Sequence, residues 1–281
     1  MSAQAPPKKL HVAILGCGFM GSALLSGILQ SLKDKQHPYT FAVSAPSSSS
    51  LERLHQQFGA RQSGVDIITA DNVAAARGAQ VVILSFQPQQ LAQVFNDTNL
   101  AAEMDGKLII SLLAGVSLLK LADSISPQQQ ITRVIPSIGA QVRESATLIA
   151  SDTNLTSDEQ ELVCSLFKLV GSVQLVPESL LNTVTAISAA THALAIVAVD
   201  SIVDASVAEG VTRTAAQAVA TQCLRSASTL LQDSMTIESF KESMSVPRGI
   251  TITALLKLER GQVRAGISDA VQCAVKYAEN M

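Results

Sequence analysis

The chain has 281 residues, 47% of them apolar and only 15% charged, with a net charge of −3 and four scattered cysteines, Cys17, Cys164, Cys223 and Cys273. Without a basic surplus, and with aromatic residues at 3%, neither a duplex-binding surface nor a stacking platform for single strands is expected. No CxxC pair or Cys/His cluster occurs, so a metal site is not expected and a reducing compartment is.

So much apolar material on so little charge calls for additional buried surface, such as an obligate subunit interface. The leading MSAQAPPKKL has no signal-type apolar core. The apolar runs are read as broken by charge or glycine within about 18 residues, too short to cross a membrane. The expectation is a cytoplasmic protein with no membrane partner.

In chain order, LHVAIL (Leu10–Leu15) reads as a buried strand by its length and its branched content. A glycine turn and the helical MGSALLSGILQSLK follow. YTFAVSA (Tyr39–Ala45) is the next strand, followed by the helical LERLHQQFG. AQVVILSF (Ala79–Phe86), GKLIISLL (Gly106–Leu113) and ITRVIPS (Ile131–Ser137) continue the series. ATLIAS and SVQLVP close it, with SDEQELVCSLFKLVG helical between them. Strand–helix alternation with solidly apolar strands predicts a parallel sheet covered on both faces.

Near Pro177 the strand-like runs stop. Helical stretches take over at Glu178–Ala186, Ser188–Glu209, Thr212–Asp233, Ile250–Arg260 and Gln262–Glu279. The reading is therefore an α/β domain over residues 1–177 and an all-helical domain over residues 178–281.

AILGCGFMGSAL places Gly16, Gly18 and Gly21 in G-x-G-x-x-G spacing, after a strand and at a helix start. That context makes a dinucleotide-binding Rossmann turn, with Phe19 and Met20 opening the helix against the ligand. Gly16 permits the tight turn, Gly18 the approach of a pyrophosphate, and Gly21 close helix–strand packing. The helix N-terminus then offers free N–H groups to the anion.

An acid at the end of the second strand would hold a ribose 2′-OH, but no carboxylate occurs between Asp34 and Glu52. Ser44 and Ser47–Ser50 offer hydroxyls instead, which points to NADPH. No arginine stands in that loop. Phe86, Gln87 and Pro88 sit at a strand's carboxyl edge, where ligands bind in such sheets. Ala114 and Gly115, at the next strand end, leave room for the nicotinamide.

With AILGCGFMGSAL, VVILSFQPQQL, GKLIISLLAGVSLLKLA, RVIPSIGA and SVPRGITITALLKLERGQVRAGISDAV in this order, the chain resembles the pyrroline-5-carboxylate reductase family over about Leu10–Glu279. The resemblance implies a Rossmann domain and a helical dimerisation domain. It also implies a homodimer with interleaved helices, sometimes assembled further, and NAD(P)H-dependent reduction of a cyclic imine. Several segments differ from the family. Gln87-Pro88 stands for Lys-Pro, and IPSIGA for MPNTPA with Pro136 and Ala140 kept. SAATHA stands for SGSGPA with Ser188 and Ala193 kept. VPRGIT stands for SPGGTT with Pro247, Gly249 and Thr251 kept.

The changes lie where the resemblance puts substrate and nicotinamide. They leave open a diverged reductase acting on another cyclic imine, or a dinucleotide-binding protein without catalysis. A β-hydroxyacid dehydrogenase shares the layout but uses a lysine in the interdomain helix, and Asn182–Glu209 holds none.

For the chemistry, Val246, Pro247, Arg248, Gly249 and Ile250 lead into a helix whose N-terminal N–H groups suit a substrate carboxylate, with Arg248 adding charge. Thr251 matches the family threonine that hydrogen-bonds the ring nitrogen. The alternative is a helix-capping residue. Ser188 is carried over to the substrate side. His192 reads either as a proton donor to the imine, or partner of the carboxylate, or as a hydrogen-bonded interior histidine. Ala189, Ala190, Ala193 and Ala195 allow close helix approach at a dimer interface. Asp200 and Asp204, one turn apart, read as a polar stripe.

Overall fold

The structure is a computed structural model and describes residues 9–33, 37–60 and 64–280. It divides into two compact units, residues 1–185 and 186–280.

In the first unit the strands are β1 (Leu10–Leu15), β2 (Tyr39–Ser44), β3 (Val65–Thr69), β4 (Val81–Leu84), β5 (Leu108–Ser111), β6 (Gln130–Ile135), β7 (Ser145–Ala150) and β8 (Gly171–Val176). They form one sheet in the order β3-β2-β1-β4-β5-β6-β7-β8. The helices are α1 (Phe19–Leu32), α2 (Ser48–Phe58), α3 (Asn72–Ala76), α4 (Leu91–Phe95), α5 (Thr98–Glu103), α6 (Leu118–Ser124) and α7 (Ser157–Lys168). The central strands β1, β4 and β5 are almost wholly apolar and bury nearly every residue, as a sheet covered on both faces requires. One core gathers Ile14, Leu24, Phe41, Leu54, Ile83 and Phe167; the other gathers Leu15, Val82, Leu84, Leu91, Leu100 and Ile109.

In the sheet, the structure corrects the sequence reading in two places. The sheet is not parallel throughout, because β6 and β7 pair antiparallel. They are joined only by the short turn around Ile138–Val142, and a parallel return needs a crossover of roughly a dozen residues. The sequence reading also has no strand between Ala45 and Ala79, where β3 lies. It is five residues long, carries Asp66 and pairs with β2 at the sheet edge, so its apolar signal is weak.

The helix α8 runs unbroken over Glu178–Ala208. Sequence reading split it at Ile187, but no Gly or Pro interrupts these residues. Its first turns group with the first unit, and the two units divide at Thr185/Ala186. Leu181 is fully buried, and the Arg133 guanidinium donates to Glu178 Oε1 at 3.2 Å and to Asn182 Oδ1 at 3.0 Å. Glu178 also accepts from the Leu118 N–H at 2.6 Å, tying α8 to the start of α6.

The second unit holds the rest of α8, α9 (Arg213–Asp233), α10 (Ile237–Ser243), α11 (Ile250–Arg260) and α12 (Val263–Glu279). The short α10 is absent from the sequence reading. Of the described residues 186–280 only Ala186, Val203, Ala216, Ala220 and Ala278 are buried.

One expectation fails outright. Ser179 to Val199 contains no charge and no glycine. α8 is therefore long and apolar enough to cross a membrane by length and composition, with mean hydropathy 1.8 over its best window and 11% of that window buried. A helix with small, branched and hydroxyl side chains all round is also what a helix packed against other protein requires.

Candidate active site

The cofactor side is built on the turn between β1 and α1. Gly16 has φ +71, and a Cβ there would lie 2.5 Å from Phe86 Cβ, so only glycine closes the turn under β4's end. Gly18 is the N-cap of α1 with no side-chain cap, and a Cβ on it would meet only the Gly16 carbonyl at 3.7 Å. Its outer side is open for a ligand, and the first N–H groups of α1 have no helical partner. A Cβ at Gly21 would meet Ser85 Oγ at 2.8 Å, so that glycine serves helix–strand contact.

A cleft of about 600 Å³ opens over this turn. It brings together the expected Gly16, Gly18, Phe19, Met20, Phe86, Gln87, Pro88 and Ala114. Gly115, at φ +72, shapes the loop beside Ala114 but does not line it. The wall also holds Ser50, one of the expected Ser47–Ser50 hydroxyls, and Asn72, Gln90, Gln93 and Asp97, which the sequence reading does not include. Asn72 follows β3, so overlooking that strand hid its place on the carboxyl edge.

Two serines behave differently from expectation. Ser44 is fully buried; its Oγ donates to Asn72 Oδ1 at 2.6 Å and accepts from the Gly16 N–H at 3.3 Å. It braces the turn from behind and cannot face a cofactor phosphate. Ser47 lies outside the cleft lining and is the N-cap of α2, accepting from the Ser50 N–H at 3.2 Å. Ser50 is the serine that lines the cleft.

Cys17, inside the turn, is fully solvent-inaccessible, and burial pushes its thiol up to about 11, against the smaller opposing effects of Ser22 and Arg53. It is a packing residue, not a nucleophile.

In the second unit, Val246–Pro247–Arg248–Gly249 closes a turn in which the Gly249 N–H donates to the Val246 carbonyl at 2.9 Å. Arg248 sits at φ +60. Proline followed by a left-handed residue is the pattern of a type II turn, which favours glycine at that place. A Cβ on Gly249 would lie 2.8 Å from Val246 Cγ2, and Gly249 is the N-cap of α11 without a side-chain cap. Arg248 and Ile250 are exposed.

Thr251 is half-buried in the first turn of α11 and is not the cap. The Thr251 hydroxyl takes no part in the hydrogen bonds among the described residues, which removes the capping reading.

His192 is not interior in the single chain. It is exposed, and its Nδ1 faces the Ser188 carbonyl at 2.8 Å. A carbonyl only accepts, so Nδ1 carries the proton. Nε2 of the neutral ring is then a bare acceptor, and proton donation from Nε2 requires the imidazolium. Ser188 is half-buried one turn before it.

Residues 178–281 match the family model "Pyrroline-5-carboxylate reductase dimerisation". Residues 11–115 match "NADP oxidoreductase coenzyme F420-dependent". A pyrroline-5-carboxylate reductase of Lophium arboricola is 30% identical, covering 97% of this chain and 93% of the relative. One of Methanosarcina acetivorans is 31% identical, covering 92% and 93%. Among solved structures, the reductase of Streptococcus pyogenes superposes with a TM-score of 0.80 at 26% identity, covering 97% of this chain and 99% of the other. The Coxiella burnetii reductase has a TM-score of 0.83 at 23% identity, covering 96% and 97%, a likeness of fold. End-to-end kinship of this kind, with the glycine turn and the VPRGIT turn both in place, makes the chain a member of the pyrroline-5-carboxylate reductase family.

Proposed function

We propose that the chain uses NADPH to reduce the C=N bond of a cyclic imine, 1-pyrroline-5-carboxylate, to L-proline. The observation that carries the reading is the fit of the cleft to a dinucleotide, in a chain related to such reductases over nearly its whole length. The outer side of Gly18 is open, Gly18, Phe19 and Met20 at the start of α1 line the cleft, and no carboxylate stands at the end of β2 to repel a 2′-phosphate.

Bound NADPH would supply a hydride to the imine carbon, and the nitrogen takes a proton. Gly16, Gly18 and the start of α1 hold the diphosphate. Ser50 lies toward the 2′-phosphate, while Phe86, Gln87, Pro88, Ala114 and Gly115 shape the nicotinamide end. The N–H groups at the start of α11 and the Arg248 guanidinium bind the substrate carboxylate, with Val246, Pro247, Gly249, Ile250 and Ser188 around it. The Thr251 hydroxyl bonds the ring nitrogen and orients it. His192, when charged, is the further donor from Nε2.

The working form is a homodimer, or a higher oligomer built from it, in the cytoplasm. A second copy would cover the apolar face of α8, where Ile196 and Val197 are 70% and 63% exposed. That occupant accounts for the long apolar helix without a membrane.

The test is oxidation of NADPH and NADH by the purified protein, with pyrroline-5-carboxylate and a panel of five- and six-membered cyclic imines. Saturable NADPH oxidation with pyrroline-5-carboxylate is expected. Turnover only on another imine would reassign the substrate, and tight NADPH binding with no turnover on any imine would make the chain a binding protein.

A further inference from the structure

We infer that Arg53 is the residue that selects NADPH over NADH, its guanidinium pairing with the 2′-phosphate; the inference rests on the dinucleotide reading of the cleft. The residues lining the cleft include no lysine or arginine, and Asp97 is their one ionisable carboxylate. A doubly charged phosphate in such a wall would lack a counter-charge. The cation that approaches the site comes from α2, behind the wall.

Arg53 is half-buried, and its Nη1 donates to Ser22 Oγ at 2.8 Å and its Nη2 to the Cys17 carbonyl at 3.1 Å. Both acceptors are neutral. Among the described residues no carboxylate lies within 4.0 Å of this guanidinium, unlike those of Arg77, Arg133, Arg213 and Arg264. An arginine drawn against a backbone carbonyl and a hydroxyl without a counter-ion is a cation still short of an anion.

Its position fits the ribose end of the cleft. The Cys17 N–H donates to the Ser44 carbonyl, so the carbonyl side of Cys17 adjoins the end of β2. In this fold class the end of the second strand meets the adenosine ribose, and a nearby arginine accommodates a 2′-phosphate. Ser50, which lines the cleft, is three residues before Arg53 on α2 and shares its face. Turning the guanidinium from two neutral acceptors to a phosphate flanked by Ser50 replaces ordinary hydrogen bonds with charge-assisted ones. The loop between β2 and α2 contains no arginine, so this helix residue does the work that a loop residue would otherwise do.

The experiment measures dissociation constants of NADPH and NADH, and of 2′,5′-ADP against 5′-AMP, for the full-length protein and for Arg53→Gln and Arg53→Lys. Loss of one charged hydrogen-bonding partner should weaken NADPH and 2′,5′-ADP by about tenfold or more. NADH and 5′-AMP should stay within about twofold, and Arg53→Lys should recover part of the loss. An unchanged NADPH preference in Arg53→Gln would overturn the inference, as would an equal loss for both cofactors, which would make Arg53 a brace of the glycine turn. If the unmodified protein binds NADH as tightly as NADPH, the choice of cofactor itself falls and Arg53 with it. Matched melting temperatures of the free proteins confirm that α2 still packs on α1.

Discussion

The two halves of this molecule solve burial differently. Residues 1–185 carry two cores of fully buried branched and aromatic side chains on either face of one sheet. Residues 186–280 bury five side chains among those described, four of them alanines. The first half has what a self-sufficient domain needs. The second has helices whose apolar residues still face outward, which sequence composition expresses as high apolar content with little charge. The lesson is that the cleft over the glycine turn rests on a buried core of its own, whereas the helices that carry Thr251 and His192 leave most of their apolar side chains uncovered in the single chain.

The comparison can be broken most forcefully at α8. Ile196→Asp places a charge where the partner's apolar surface is expected, at a cost of several kcal/mol, on the order of 3 or more, if that surface is covered. Gel filtration should show single subunits, and limited proteolysis should cut within residues 186–280 while a fragment near residues 1–185 survives. An unaltered elution volume and protease pattern would mean that the second half stands alone.

Gly18→Val tests the other side of the comparison. Its side chain enters open space above the turn, so the fold should survive while NADPH affinity falls by about a hundredfold or more. Retained binding in a titration would show that the dinucleotide does not lie against this turn.

Thr251→Ala separates the halves by role. Turnover should drop by about tenfold to a hundredfold with NADPH affinity nearly unchanged, as expected for a group that touches only substrate. Equal rates would remove Thr251 from the reaction.

The smallest effect is on pH. The folded Cys17 thiol keeps its proton to about 11, whereas an ordinary thiol releases it near 9.0. The native state therefore binds more protons over that interval, so this contribution to stability is complete below pH 9 and is lost as pH rises toward 11. Chemical denaturation across that range should show a shallower decline in Cys17→Ala than in the unmodified protein.

Much of the fold was legible beforehand because its signals are local. Leu10–Leu15 and Ile250–Arg260 coincide with β1 and α11, since an unbroken branched run and a Pro/Gly break followed by helical residues are each decided within a few positions. The glycine turn was legible for the same reason. What escaped depends on partners distant in sequence. β3 exists because β2 offers its edge, and Asn72 reaches the cleft only through β3. The continuity of α8 through Ile187 follows from the absence of Gly or Pro between Glu178 and Ala208.

By itself the amino-acid order determined most of the elements, the glycine turn between β1 and α1 and the absence of an acid after β2. All of these follow from side-chain size, periodicity and charge along a few adjacent residues. Tertiary structure alone decided that Ser44 is spent on bracing Gly16 and Asn72 while Ser50 faces the cleft. It also decided that β6 and β7 run antiparallel and that Arg53 lies beside Cys17 without a counter-ion. Each of those depends on which groups, up to dozens of residues apart, meet at hydrogen-bonding distance, and local pattern carries no record of that.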